Sequence, residues 1–262
     1  MSLVFAALTP HPPLLIPSVG REEIKQVEKT KIAMEKLEEE LYLAKPDIIL
    51  VISPHGTIFE DAFTLNACPE MTLDFKKFGD LTEEIKFRGD TFFATTIRSE
   101  ATPKMAVTMI SEPNLDHGVG VPLFYLTKHL PNVSILPIGY CALDLKTHWE
   151  FGSLIKDQIM NTNKRVAVIA SGDLSHALKT DAPAGYNAAG SEFDEHIRQL
   201  LASGNSAGIM QIDPKLADNA AECGLRSLVI MLGILKDLNV RYQELAYEAP
   251  FGVGYLTANF GV

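Results

Sequence analysis

Short, unbroken apolar runs alternate along the chain with longer amphipathic stretches, and that alternation predicts its elements. Leu3–Leu8 reads as a short buried strand. Thr9-Pro10-His11-Pro12-Pro13 follows it as a loop, because proline removes the backbone donors that a helix or central strand needs. From Arg21 to about Ala44 there is no Gly or Pro, and Ile24, Val27, Ile32, Leu37 and Leu41 recur at helical intervals. A long helix is expected there. Asp47–Ile52 is the apolar run of a strand covered on both faces, and it ends in Ser53-Pro54-His55-Gly56. Between residues 57 and 110 the pattern weakens. Ala62–Asn66 and Met71–Phe75 read as short strands, and Thr82–Ile85 as the opening of a helix.

Regular patterning returns with a helix over Leu123–His129, a strand over Val133–Ile138 and a helix over His148–Met160. The strand Arg165–Ala170 runs straight into Ser171-Gly172-Asp173-Leu174-Ser175-His176. Helices over Glu192–Ala202, Ser206–Ile212 and Glu222–Lys236 come next, then strands near Val240–Glu244 and Gly254–Asn259. No repeat, low-complexity tract or linker divides the chain. The expectation is one α/β domain over residues 1–262, its central sheet mostly parallel or mixed and flanked by helices.

Composition narrows the function classes. With 23 Lys+Arg against 33 Asp+Glu the formal charge is −10, which argues against a nucleic-acid backbone or an anionic membrane as the main partner. Hydrophobic residues make up 47%, too many for a disordered chain. Met1–Leu8 has no basic flank and prolines interrupt it at 10, 12 and 13, so neither a signal peptide nor a membrane span is expected. Cys68, Cys141 and Cys223 are too scattered for a disulfide scaffold, and a reducing cytoplasm is the expected compartment.

The placing of the histidines carries the chemistry. Three of the seven, His11, His55 and His176, each follow a predicted buried strand by a few residues. In open α/β sheets ligands bind outside the carboxyl ends of the strands. His117, in Asp116-His117-Gly118-Val119-Gly120-Val121-Pro122, sits in a Gly-rich loop from which it reaches the same crevice or caps the next helix. His129, His148 and His196 are expected on helix surfaces.

Two neutral imidazoles and one carboxylate, with positions left open, form the facial triad of non-haem Fe(II) and oxygen activation. Glu222 is the carboxylate candidate: it opens an otherwise apolar helix and shares a face with Leu225, Val229 and Leu232. A helix-terminal carboxylate favoured by the macrodipole is the plainer reading of the same residue. Cys223 is its rival. Neighbouring helical residues point about 100° apart, so the two do not serve one ion together, and a thiolate would favour Zn or Cu. Two histidines and a glutamate also suit a catalytic, hydrolytic zinc. Ser175 beside His176 matches no serine triad, and neither Gly118-x-Gly120 nor Gly252-x-Gly254 completes a dinucleotide loop.

His11-Pro12-Pro13, Ser53-Pro54-His55-Gly56, the Asp116–Pro122 motif, the Ser171–His176 motif and Glu222 resemble, in this order, the class III extradiol ring-cleavage dioxygenases of the LigB-type catalytic-subunit superfamily. The resemblance spans essentially the whole chain. It implies a LigB-like fold, Fe(II) held by His11, His55 and Glu222, His176 as acid/base, and His117 near substrate and oxygen. The implied reaction is extradiol cleavage of a catechol-type aromatic by O2 in a homo-oligomer such as a dimer. Memo-like relatives in the same superfamily look similar but use a cysteine in place of the glutamate, with the equivalents of Asp173 and His176 lining the site. A related set, the AmmeMemoRadiSam proteins, joins such a domain to other modules. On the Memo-like pattern Cys223 is the ligand and the role is redox or binding, without ring cleavage.

Overall fold

Strands whose successive side chains are all apolar can be buried on both faces, and several strands of this chain have that character. The computed structural model describes residues 2–82 and 84–262. Along them run β1 (Leu3–Thr9), α1 (Pro17–Gly20), α2 (Glu28–Ala44), β2 (Ile48–Ser53), β3 (Phe63–Asn66), β4 (Glu70–Asp74), β5 (Glu84–Gly89), α3 (Thr91–Ala101), β6 (Val107–Ile110) and α4 (His117–Leu126). The second half adds β7 (Ser134–Gly139), α5 (Leu145–Met160), β8 (Val166–Ser171), α6 (Ala188–Ala202), α7 (Ser206–Ile209), α8 (Pro214–Ala220), α9 (Leu225–Ile234), β9 (Arg241–Glu248) and β10 (Tyr255–Gly261).

The strands form one mixed sheet in the order β4-β5-β7-β2-β8-β1-β10-β9. Its centre, β7-β2-β8-β1, is parallel, with Ser53 opposite Gly139 and Thr9 opposite Ser171. The four carboxyl ends therefore lie side by side on one edge. On the outer side of β7, β5 pairs with its beginning and β3 with its end. Alternate residues of the parallel strands feed two cores. Leu8, Leu50, Ile52, Leu136 and Val168 pack beneath α3, α5, α6 and α9, while Ala7, Ile49, Val51, Ile135 and Ile169 pack beneath α2 and α4. Among the described residues, no helix is long and apolar enough to cross a membrane.

Four expectations are corrected. The helix expected to open over Thr82–Ile85 is strand from Glu84, because Glu-Ile-Lys-Phe-Arg alternates with a period of two and pairs antiparallel with β4; Glu83 lies outside the described residues. The helix expected from Arg21 begins as a 3-10 segment, Arg21–Val27, in which Ile24 and Val27, three apart, fall on one inward side. The Gly-rich stretch after Asp116 is already helix, since the Asp116 carboxylate caps the Val119 N–H. His148, expected at the surface, is fully buried. It lies in the first turn of α5, edge-on to Phe63, with Nδ1 against the Asp144 carbonyl at 2.7 Å.

Candidate metal centre

Three of the four strand ends deliver one group each. His11 stands two residues beyond β1, His55 two beyond β2 and Asp173 two beyond β8, and the adjacent pairing of these strands brings them together. His11 is buried, its backbone N–H donating to Asp173 Oδ1 at 3.0 Å. Its ring orientation traces back to a proline. Pro122 has no N–H for the Gly118 carbonyl four residues earlier, and that carbonyl instead accepts the Ser171 hydroxyl. With its one proton so committed, Ser171 Oγ accepts from His11 Nδ1–H at 2.9 Å. The lone pair of His11 thus sits on Nε2, facing His55 Nε2 at 2.9 Å.

The backbone at His55 is set by a second chain of bonds: its main-chain N–H donates to Ser53 Oγ at 3.2 Å, and that hydroxyl donates to Asp116 Oδ1 at 2.8 Å at the start of α4. His117, the first residue of α4, stacks on His55 with ring centroids 4.2 Å apart. Beyond them opens a cleft of about 770 Å³ lined by His55, His117, Asn66, Asn114, Lys77 and Phe78, among others.

From the loop before α9, it is Cys223 that comes nearest the two histidines. The donor atoms of His11, His55 and Cys223 all lie within 4.8 Å of one another, with Sγ 3.7 Å from His11 Nε2. A second group, Asp173, His176 and Cys223, meets the same limit. Two glycines permit this approach. A Cβ on Gly172 would stand 2.2 Å from the Gly224 Cα, so the two loops touch backbone to backbone and Asp173 N–H reaches Sγ at 3.3 Å. Glu222 joins neither group. The helix starts at Leu225 rather than at Glu222, and Glu222 Oε2 accepts the Leu225 N–H at 2.6 Å, the plainer of its two sequence readings.

Electrostatically the cluster resists protons and anions alike. Burial lowers the pKa values of His11, His117 and His176, and takes His55 down to about 4 with help from His117. Burial also raises Asp173 to about 7 and Glu222 to about 7, and pushes the Cys223 thiol well up, with Asp173 adding to it. Neutral imidazole nitrogens converging beside a half-buried thiol and a buried carboxyl are what a cation would stabilise, displacing the imidazole proton between them and the thiol proton as it binds. These residues fit a metal ion.

The sequence profile described as the catalytic LigB subunit of aromatic ring-opening dioxygenase matches residues 5–258. The chain belongs to the LigB family. Protein CA_C1420 of Clostridium acetobutylicum is 36% identical over 97% of the chain, which spans 57% of that protein's length. The 2-aminophenol 1,6-dioxygenase alpha subunit of a Pseudomonas species is 26% identical, each chain being covered in full. The crystal structure of an uncharacterized protein from Escherichia coli K12, JW3007, superposes with a TM-score of 0.69 at 16% identity, covering 98% of this chain and all of that one. In this LigB chain, sequence reasoning passed over Ser171 and Ser53 as orienting groups. The signal was there in their place as the last residue of a buried strand, but a serine there has many uses.

Proposed function

We propose that this LigB-family chain is a metal-dependent oxidoreductase whose ion is held by His11, His55 and Cys223. The observation that carries the reading is the position of Cys223 Sγ, 3.7 Å from His11 Nε2, while the Glu222 carboxylate is engaged by Leu225 N–H. Two imidazoles and a thiolate make a softer set than two imidazoles and a carboxylate, favouring copper or zinc over Fe(II). Copper bound here would supply one-electron exchange, which suits the Memo-like redox role. His176 serves as the proton carrier: burial keeps its imidazole neutral, and Nε2 stands 3.9 Å from Asp173 Oδ2. Asp173, raised to about 7, exchanges a proton near neutrality and anchors the His11 backbone. His117 stacks on His55 where both rings line the cleft, and serves to hold that imidazole in place.

Anaerobic loading with Cu(I), Zn(II) or Fe(II), followed by counting ions per chain, tests the ligand set. Cys223→Ala is expected to lose the ion. Glu222→Ala is expected to keep it and to lose about 1 kcal/mol of stability from the cap. Retention of metal by Cys223→Ala together with loss by Glu222→Ala would sink the reading.

A second reading, Fe(II)-dependent extradiol cleavage of a catechol-type aromatic with O2, is favoured by the relation to a 2-aminophenol dioxygenase subunit and by a cleft of about 770 Å³ beside His55. Oxygen uptake by Fe(II)-loaded protein with catechol or 2-aminophenol, abolished in His176→Ala, would establish it over the first.

A further inference from the structure

Two helix ends and the last two strands enclose a gap on the α5, α6 and α9 side of the sheet. After α6 the chain turns through Gly204 at φ +66°, and after α9 through Asp237 at φ +58°, left-handed positions of the kind that end helices. Between these turns lies a pocket of about 420 Å³, walled by Trp149, Leu200, Leu232, Leu238 and Val240, together with Phe260 of β10. All six pack in or against the core beneath α5, α6 and α9. None of them lines the cleft beside His55 or belongs to a candidate metal group, so the pocket is independent of the metal reading.

A concave, mostly apolar pocket of this size is suited to a small molecule, and its charge narrows the class. Lys236 and Asp237 stand at the rim. Lys156 Nζ donates to the Lys236 carbonyl and lies 4.0 Å from the Asp237 carboxylate, which supplies that acid with a cation. The Lys236 ammonium is exposed and makes no hydrogen bond or ion pair among the described residues. Two ammonium groups against one carboxylate leave the rim net positive in a chain of formal charge −10. A ligand with an apolar body and one anionic head meets both features. A cationic head would face Lys236 and Lys156. Leucine and valine walls suit a flexible chain, whose burial against them is favourable methylene by methylene.

We infer that this pocket binds a medium-chain aliphatic carboxylate, its chain among Trp149, Leu232 and Val240 and its head at Lys236. Sodium decanoate titrated into the protein, followed by the fluorescence of Trp149, the one tryptophan of the chain, tests the assignment. A saturable change is expected. Octanoate, two methylenes shorter, is expected to bind about tenfold more weakly. 1-Decanol keeps the chain without the charge, and is expected to bind about threefold more weakly than decanoate at low salt. Lys236→Gln erases that difference and leaves decanol binding unchanged. Val240→Phe, which fills the pocket, abolishes binding of both, and Leu238→Phe does the same from a second wall position, with melting temperature as the check on folding. Absence of a saturable change, decanol binding as tightly as decanoate, or decanoate binding that survives a folded filling variant would each overturn the assignment. So would a dimer in analytical ultracentrifugation that decanoate leaves intact and Val240→Phe dissociates, since the pocket would then belong to a second copy of the chain.

Discussion

At the scale of single residues, the aim of one imidazole is decided by an amino acid that never touches it. Pro122 leaves the Gly118 carbonyl free, Ser171 donates to that carbonyl, and His11 Nδ1–H donates to Ser171. Ser171→Ala removes the middle link, so the His11 ring loses its fixed tautomer while the fold keeps its sheet. Outer partners of a metal-binding histidine typically govern 10- to 100-fold in affinity, and a loss of about tenfold or more is expected in a chelator competition assay. Unchanged affinity would show that Ser171 does not orient the ligand. Glu222 and Cys223 show what sequence alone leaves open at this scale. Both are chemically competent donors on adjacent positions. The choice turns on where α9 begins, a boundary settled by tertiary packing against Gly172 and not by local propensity.

Strands and helices explain why the donors meet at all. The buried runs ending at Thr9, Ser53 and Ser171 were legible because uninterrupted apolar sequence has few other fates, and strand pairing converts them into one row of ends. The segment over 57–110 was less legible: β3 is too short to show a period and draws its identity from partners far along the chain, β6 and β7. Pro214–Ala220, α8, was unread because seven residues carry too little periodicity. The contact between the loop after β8 and the loop before α9 depends on paired glycines. Gly172→Ala would force apart the backbones it now lets touch, costing about 1–3 kcal/mol and drawing Cys223 from the histidines. Thermal melts with ion counting are expected to show both losses. In Gly120→Ala the nearest atoms to the new Cβ would be side-chain atoms of Leu73 and Phe75, and metal binding is expected to persist.

Across the whole molecule, the loop bearing Asp173 and His176 is clamped by the segment before β10 and by α6. Leu174 N–H and Ser175 O bond to the Gly254 backbone, and Ser175 N–H donates at 2.8 Å to Asp194 Oδ1 on α6. Asp194 Oδ2 accepts the Tyr247 hydroxyl of β9 at 2.7 Å, and Arg198 lies over that tyrosine ring at 4.3 Å while pairing with Glu244. One buried carboxyl therefore ties a helix, a strand and the site loop together. Burial raises it from 3.8 to about 6 despite the bonds from Tyr247 and Ser175. The folded protein thus holds this proton more tightly than the unfolded chain. Its contribution to stability is fully present below about pH 4 and is lost as pH rises through about 6, amounting to about 3 kcal/mol. Asp194→Asn keeps an oxygen for Ser175 and carries no charge at any pH. Urea unfolding from pH 4 to 7 is expected to show the variant gaining on the wild type by about 3 kcal/mol across that window. Parallel profiles would mean that Asp194 ionises inside the fold as easily as outside it. The clamp would then be an ordinary carboxylate acceptor, placing no acidic preference on the loop that carries His176.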